Sequence, residues 1–201
     1  HILSFGADFL ETWGPVVEQQ RGFATSHGMH DGTMSKHVFV GPRMSLTGAN
    51  ADEYVQVAPG QETLVALGIA HLVAEKRGHP QAGSLSSYTP AMVAKETGVS
   101  EAQLTAIAEA FAAAQPSLAV AGGIAAQHRG AIDLCAAVNT LNLVAGNLGK
   151  TVVFGAEPAT NTPTTPPIMS SGRLSMISRA SRADRNAMNR CSKMPAVTAA
   201  P

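Results

Sequence analysis

The sequence predicts an α/β domain built on a doubly wound, mainly parallel sheet. Short apolar runs that end in glycine recur over the first 158 residues, and stretches of helical length separate them. Strands that alternate with helices in this way favour βαβ units with helices on both faces of the sheet. The composition agrees, because 45% apolar and 4% aromatic residues suit helices packed closely over a sheet.

Four strands are predicted from apolar runs that turn residues close: residues 1–5, 36–40, 54–57 and 117–121. Three of these strands are followed by glycine, at Gly6, Gly41 and Gly122. In an open parallel sheet, ligands bind outside the carboxyl ends of the strands. We therefore expect these three turns to lie at one end of the sheet and to form a common crevice there.

The helices are predicted from their caps and their apolar stripes. Thr89 and Pro90 form an N-cap followed by proline, and Ser100 with Gln103 forms a capping box. The predicted helices cover residues 15–25, 60–77, 89–97, 100–111 and 131–144.

The chain is expected to divide at about residue 158. Residues 1–158 form the predicted domain and carry 8 Lys/Arg against 13 Asp/Glu, a balance of −5. Residues 159–201 carry 6 against 1, a balance of +5, and combine a Thr/Pro/Ser-rich linker with unpatterned basic sequence. We expect this tail to be disordered and to pack little on the domain. The acidic domain argues against binding to nucleic acid.

Cysteine usage and apolar segments restrict the possibilities further. Cys135 and Cys191 lie in no C-x-x-C pattern, which excludes an iron–sulfur or zinc site built wholly from local cysteines. The sequence has no 18-residue apolar segment, so no direct membrane span is expected. It begins at His1 and runs straight into an apolar stretch, which suggests an internal fragment of a longer protein.

Three residues near strand ends or a helix start are candidates for ligand contacts. Arg43 suits a phosphate or a purine, or else a surface salt bridge. Glu62 suits a guanine edge, or is favoured only by the dipole of its helix. Asp8 follows the first strand and has the same two interpretations as Glu62, a ligand contact or a local structural role.

Other polar residues are less specific. Four of them match no recognised metal-ligand spacing, so no metal site is predicted: His27, His30, Asp31 and His37. His128 follows the turn at Gly122 and either lines the crevice or is a loop histidine. Asn147 belongs to a helix C-cap, a ligand-shaped backbone surface, or both. With no G-x-G-x-x-G, Walker or triad pattern, no catalytic residue is assigned.

Five segments follow one another in a set order: S-F-G-A-D at 4–8, G-P-R at 41–43 with A-D at 51–52, P-G-Q-E at 59–62, T-P-A at 89–91 with T-G-V at 97–99, and A-G-N-L-G-K at 145–150. This set resembles the molybdopterin oxidoreductases of the dimethyl sulfoxide reductase family, which show G-x-N-P, D-P-R with A-D, P-G-T-D, T-P-E with T-G-V, and T-G-N-L/I-G-K. The resemblance covers residues 1 to about 158.

The resemblance implies a domain that grips a molybdopterin guanine dinucleotide carrying molybdenum. Its turns would approach the guanosine diphosphate part through Gly6, Asp8, Arg43 and Glu62. With their neighbours and the other crevice residues, the predicted cofactor-binding set is Gly6, Ala7, Asp8, Pro42, Arg43, Gly60, Gln61, Glu62, Gly122, His128 and Asn147. The metal ligand and any iron–sulfur cluster are expected in upstream sequence or in partner subunits.

The departures from the family pattern separate two functions. Asp8 replaces an asparagine and Glu62 an aspartate, and extra carboxylates disfavour a nearby diphosphate unless they reach guanine or ribose instead. Residues 4–13 look most like the molybdopterin-like large subunits of alternative complex III and related quinone-linked complexes, in which the fold can persist without the cofactor. The chain is therefore expected to be part of a molybdopterin-dependent oxidoreductase subunit in respiratory electron transfer. The alternative is a cofactor-free structural subunit of a membrane-bound quinol-oxidising complex.

Both functions imply the same partner subunits and the same cellular location. The resemblance implies iron–sulfur and membrane-anchor partner subunits and a location on the exported, periplasmic side of the cytoplasmic membrane. Activity of this chain alone is not expected.

Overall fold

Four short strands form one all-parallel sheet in the order β3-β2-β1-β4. They are β1 (Ile2–Phe5), β2 (His37–Gly41), β3 (Glu53–Gln56) and β4 (Leu118–Ala121). The computed structural model describes residues 1–12, 15–29 and 34–153. The predicted parallel sheet is confirmed, and each strand lies within about two residues of its expected position.

Helices fill the connections between the strands. They are α1 (Val16–His27), α2 (Leu46–Ala49), α3 (Glu62–Lys76), α4 (Pro90–Thr97), α5 (Glu101–Ala113) and α6 (Ala131–Val144), with 3-10 turns at Pro80–Leu85 and Gly123–Ala126. Helix α2 and the two 3-10 turns were not predicted, because elements of four to six residues show no helical period. No helix in the described ranges is long and apolar enough to cross a membrane.

The predicted caps form, with one difference. The Thr89 side chain accepts a hydrogen bond from the amide of Met92, and Gly98 ends α4 in a left-handed conformation. Ser100 caps α5 as expected, but the Gln103 side chain donates instead to Oε1 of Glu53 at 2.9 Å. Gln103, the second residue of the predicted capping box, therefore connects α5 to β3 instead of capping the helix.

Both faces of the sheet are covered, which makes the sheet doubly wound. Leu3 and Phe5 of β1 point into the larger core, where α3, α5 and α6 pack. Ile2 points to the other face, into a small cluster. The cluster contains Phe9 and Leu10 from the loop after β1 and Phe23 from α1. The expected tail, residues 159–201, lies outside the described residues.

Candidate functional site at the carboxyl end of the sheet

The turns that follow β1, β2 and β4 lie at the same end of the sheet. The Gly6 amide donates to the Val40 carbonyl at 2.9 Å, and the Gly122 amide donates to the Phe5 carbonyl at 3.4 Å. A Cβ built on Gly41 would lie 3.8 Å from Cα of Gly6. The predicted placement of the three turns at one end of the sheet is confirmed.

Glycine is required where two of these turns meet. Gly6 has φ +62° and Gly123 has φ +58°, a region that side chains disfavour. A Cβ on Gly6 would collide with Cβ of Ala125, and one on Gly123 would lie 2.5 Å from the Gly6 carbonyl oxygen. The 3-10 turn after β4 therefore packs directly on the turn after β1 and fills the space above Gly6.

Asp8 is the buried acid of the crevice, with 4% of its surface exposed. Its Oδ2 lies 3.9 Å from Nη2 of Arg43, whereas Oδ1 has no hydrogen-bond partner among the described residues. Burial raises the pKa of the Asp8 carboxyl, the Ser45 hydroxyl lowers it, Glu11 raises it and Arg43 lowers it. Burial is the largest of these effects, so the fold favours the neutral acid more than water does.

Arg43 is the exposed cation of the crevice, with 60% of its side chain accessible. The turn that carries it is held by the Tyr54 hydroxyl, which donates to the Gly41 carbonyl at 2.9 Å. Because Arg43 is too far from Asp8 for a hydrogen bond, its guanidinium can still donate to an anionic ligand.

The Glu62 side chain is hydrogen-bonded to the backbone of the turn just before it. It is 1% exposed, and its Oε2 accepts a hydrogen bond from the Gly60 amide at 2.7 Å. Gln61 is also occupied, because its side chain accepts from Ala58 and donates to the Glu96 carbonyl. None of these bonds caps α3, because its N-cap residue Gln61 makes no side-chain capping hydrogen bond and Gly60 precedes the helix. The Glu62 carboxylate nevertheless lies in the first turn, where it would compete with a phosphate.

His128 joins the crevice beside the start of α3. A Cβ on Gly60 would lie 4.0 Å from Cε1 of His128, and His128 is exposed. Its Nδ1 accepts from the Gly130 amide at 2.9 Å, which fixes the ring orientation and leaves Nε2 pointing away from that bond.

Asn147 is placed at the opposite end of the sheet. Its Oδ1 accepts from the hydroxyl of Ser117, the residue before β4, and its Nδ2 donates to Oδ1 of Asn142, both at 3.0 Å. The other predicted residues lie in the loops that follow the strands or at the start of α3, at the carboxyl end of the sheet, and Asn147 does not. The glycine-rich stretch predicted a cap or a ligand surface, and the buried bonds of Asn147 are those of a cap.

The histidines singled out in the sequence form no metal site in the described ranges. His27 lies 3.5 Å from Asp52, and His37 is buried against Ser4. No group of three or more His, Cys, Asp or Glu in the part of the chain that the structure describes could hold a metal ion. His30 and Asp31 lie outside that part.

Sequence reasoning missed Ser45. Its Oγ accepts from the Gly48 amide at 3.1 Å as the N-cap of α2, and the same hydroxyl acts on Asp8. A Ser followed by a four-residue helix gives almost no periodic signal, so only the fold brings Ser45 beside Asp8.

Comparison with known proteins places this geometry in context. No protein-family profile matches the sequence. The menaquinone reductase, molybdopterin-binding-like subunit of Nitratidesulfovibrio vulgaris is 31% identical over 156 residues, covering 74% of this chain and 22% of that protein. The arsenate respiratory reductase molybdopterin-containing subunit ArrA of a Shewanella species is 27% identical over 190 residues, covering 70% and 20%.

A solved structure supports the fold. Acetylene hydratase from Pelobacter acetylenicus superposes with a TM-score of 0.59 at 16% identity, over 72% of this chain and 21% of that one. The chain spans about one fifth of the length of each of these proteins.

The fold and the relatives together define an α/β domain of the molybdopterin-binding kind. More closely, the chain is a homologue of a molybdopterin-binding-like subunit of a menaquinone reductase and of a molybdopterin-containing subunit of an arsenate respiratory reductase. The resemblance to the molybdopterin oxidoreductases of the dimethyl sulfoxide reductase family is confirmed.

Proposed function

We propose that this chain is part of a molybdopterin-type oxidoreductase subunit and that its carboxyl-end crevice holds the guanosine diphosphate end of a molybdopterin guanine dinucleotide. The observation that carries the proposal is the exposed Arg43 guanidinium in a crevice where three strand-end turns meet. When bound, the cofactor would supply redox chemistry at its molybdenum. The residues of this chain would bind and orient its nucleotide.

Arg43 fits one anionic group. A charge-assisted hydrogen bond to a phosphate contributes about 1.5–3 kcal/mol, and the lower end applies to an exposed side chain. Asp8 would repel the same phosphate if ionised. Because burial raises the pKa of Asp8, that repulsion is weaker than it would be for an exposed aspartate.

Glu62 does not fit a phosphate at the start of α3. Its carboxylate is buried in the first turn of α3, where it would compete with an anion at the helix start. The nucleotide would therefore rely on Arg43 and on the turn backbones rather than on this helix.

The second candidate is a cofactor-free structural subunit of a membrane-bound quinol-oxidising complex. The two buried acids favour it, because Asp8 and Glu62 lie where a diphosphate would approach. In either case we propose a place in quinone-linked respiratory electron transfer, with iron–sulfur and membrane-anchor partners on the periplasmic side. The name of the menaquinone reductase relative supports the quinone link.

The test is the guanine and molybdenum content of the purified full-length protein, wild type and variants. We expect both in the wild type and a loss of several-fold in Arg43→Ala. Arg21→Ala, which removes an exposed arginine of α1, is the matched control and should leave the content unchanged. Wild-type protein without guanine would favour the structural subunit, and full loading of Arg43→Ala would show that the site lies elsewhere.

A further inference from the structure

A buried polar pair joins β1 and β2 on the face of the sheet that α1 covers. His37 and Ser4 are both fully buried, and Nε2 of His37 lies 3.0 Å from Oγ of Ser4. The rings of Phe9 and Phe23 lie 5.4 and 5.5 Å from the His37 ring. Nδ1 of His37 is buried without a hydrogen-bond partner in the described residues. A fully buried site between two aromatic rings suits a neutral imidazole better than a charged one.

A second layer connects the pair to the end of α1. The His37 amide donates to Oδ2 of Asp52 at 2.7 Å, and Oδ1 of Asp52 lies 3.5 Å from Nε2 of His27. His27 is the last residue of α1, and it stacks on Phe23 with ring centroids 4.7 Å apart. Asp52 therefore links the first residue of β2 to the last residue of α1.

The attachment of α1 is small compared with the rest of the core. The cluster that α1 joins on this face has four buried apolar residues, Ile2, Phe9, Leu10 and Phe23, and Phe39 of β2 is also buried there. The larger cluster of α3, α5 and α6 covers the opposite face. Segments with little buried apolar area open at a lower free energy than the whole domain. Helix α1 can thus detach while the opposite face stays folded.

We propose that His37 and the residues around it form an acid-sensitive attachment of α1: protonation of the His37 ring opens the α1 face of the sheet and leaves the α3–α5–α6 face folded. The proton would place a charge in a fully buried site between the rings of Phe9 and Phe23. Opening relieves this, because water then solvates the imidazolium.

The direction of the pH dependence and the pH range in which it occurs follow from the pKa of His37. Burial lowers its pKa from 6.5 to about 4, Asp52 raises it, His27 lowers it, and the Asn50 backbone raises it. The closed form therefore binds a proton less readily than the open form. The opening equilibrium should be flat above about pH 6.5, rise by about tenfold per pH unit as the pH falls towards 4, and level off below.

Hydrogen exchange of the chain, measured by mass spectrometry between pH 7 and 4.5 and corrected for intrinsic exchange rates, tests this. We expect protection to fall at least tenfold in α1 and around His37 and to change less than threefold in α6. The variant His37→Gln keeps a partner for Ser4 without titrating, so its α1 protection should not depend on pH in this range. The variant Asp52→Asn removes the charge of Asp52 but leaves the His37 ring able to take up a proton. Its α1 protection should therefore still depend on pH.

The control is His79→Gln, a histidine outside this cluster, which should behave like the wild type. An unchanged pH response in His37→Gln, or equal loss of protection in α1 and α6, would overturn the proposal. If His37→Gln does not fold, the ring signal of His37 in a wild-type NMR titration replaces it. Titration near the usual histidine value, with α1 still protected, would also overturn the proposal.

Discussion

The amino end of β4 and the carboxyl end of β1 are built in opposite ways. Beside the amino end of β4, three buried polar side chains bond to one another and to the strand: Asn142, Asn147 and Ser117. At the carboxyl end, Asp8 keeps an oxygen without a partner in the described residues, and Arg43 is exposed beside it. Hydrogen bonds that are complete stabilise a fold, whereas polar groups left over at a crevice are what a ligand site requires.

Arg77 extends the amino-end pattern to the helices. Its Nη1 donates to the Ala145 carbonyl at 2.6 Å and its Nη2 donates to the Ala112 carbonyl at 2.7 Å. The side chain thus satisfies carbonyls at the C-termini of α5 and α6 from the end of α3, and its charge suits their dipoles. One guanidinium thus joins the ends of three helices, whereas the Arg43 guanidinium donates to no carbonyl among the residues that the structure describes.

The largest effect should come from the amino end. Asn142→Ala leaves the amide and carbonyl of Ala119 and the side chain of Asn147 without their partner in a buried site. Each buried group left unsatisfied costs about 1–3 kcal/mol, so we expect a loss of roughly 3–5 kcal/mol in the free energy of unfolding, measured with urea. Asn50→Ala, which removes an exposed bond, should lose less than about 1 kcal/mol. Equal losses would contradict the contrast.

The glycine turns of the carboxyl end should give the next largest effect. Gly6→Ala puts a side chain at φ +62° and against Ala125, so strain and overpacking should cost roughly 2–4 kcal/mol of unfolding free energy. Gly83→Ala has open space around the new Cβ and is the control. A thermal melt of Gly6→Ala equal to that of the wild type would mean that the turn relaxes freely.

The smallest effect should come from Asp8 and should have the opposite sign. Burial raises the pKa of Asp8 above its usual 3.8, so the folded state holds the proton more tightly than the unfolded state. The carboxyl therefore reduces stability as the pH rises through and above that range. Asp8→Asn should gain up to about 1 kcal/mol at pH 7 and nothing at pH 3. Glu109→Gln, at an exposed site, should change neither value, and a loss at pH 7 in Asp8→Asn would show that the carboxylate is structural.

Local signals predicted the framework well. The N-caps Thr89 and Ser100, the C-terminal Gly98 and the Ala/Leu-rich run of α6 act within a few residues of chain, so they can be recognised from sequence alone. The shared end of Gly6, Gly41 and Gly122 followed from parallel topology, because parallel strands all point the same way.

The hydrogen-bond partners and the burial of individual side chains could not be predicted, because they depend on how the chain folds around them. Nothing local tells that Glu62 turns back to Gly60 or that Asp8 is buried beside Ser45. Asn147 belongs to the predicted cofactor-binding set, yet Ser117 and Asn142 hold it at the other end of the sheet.

Asn142 also covers part of one edge of the sheet. Strand β4 is the last strand of the sheet, and the amide and carbonyl of Ala119 point away from β1. The Asn142 side chain accepts from that amide at 3.0 Å and donates to that carbonyl at 2.8 Å, as a neighbouring strand would do. A free strand edge invites pairing with a second molecule and aggregation. One asparagine on α6 thus takes the position at which an intermolecular sheet would begin.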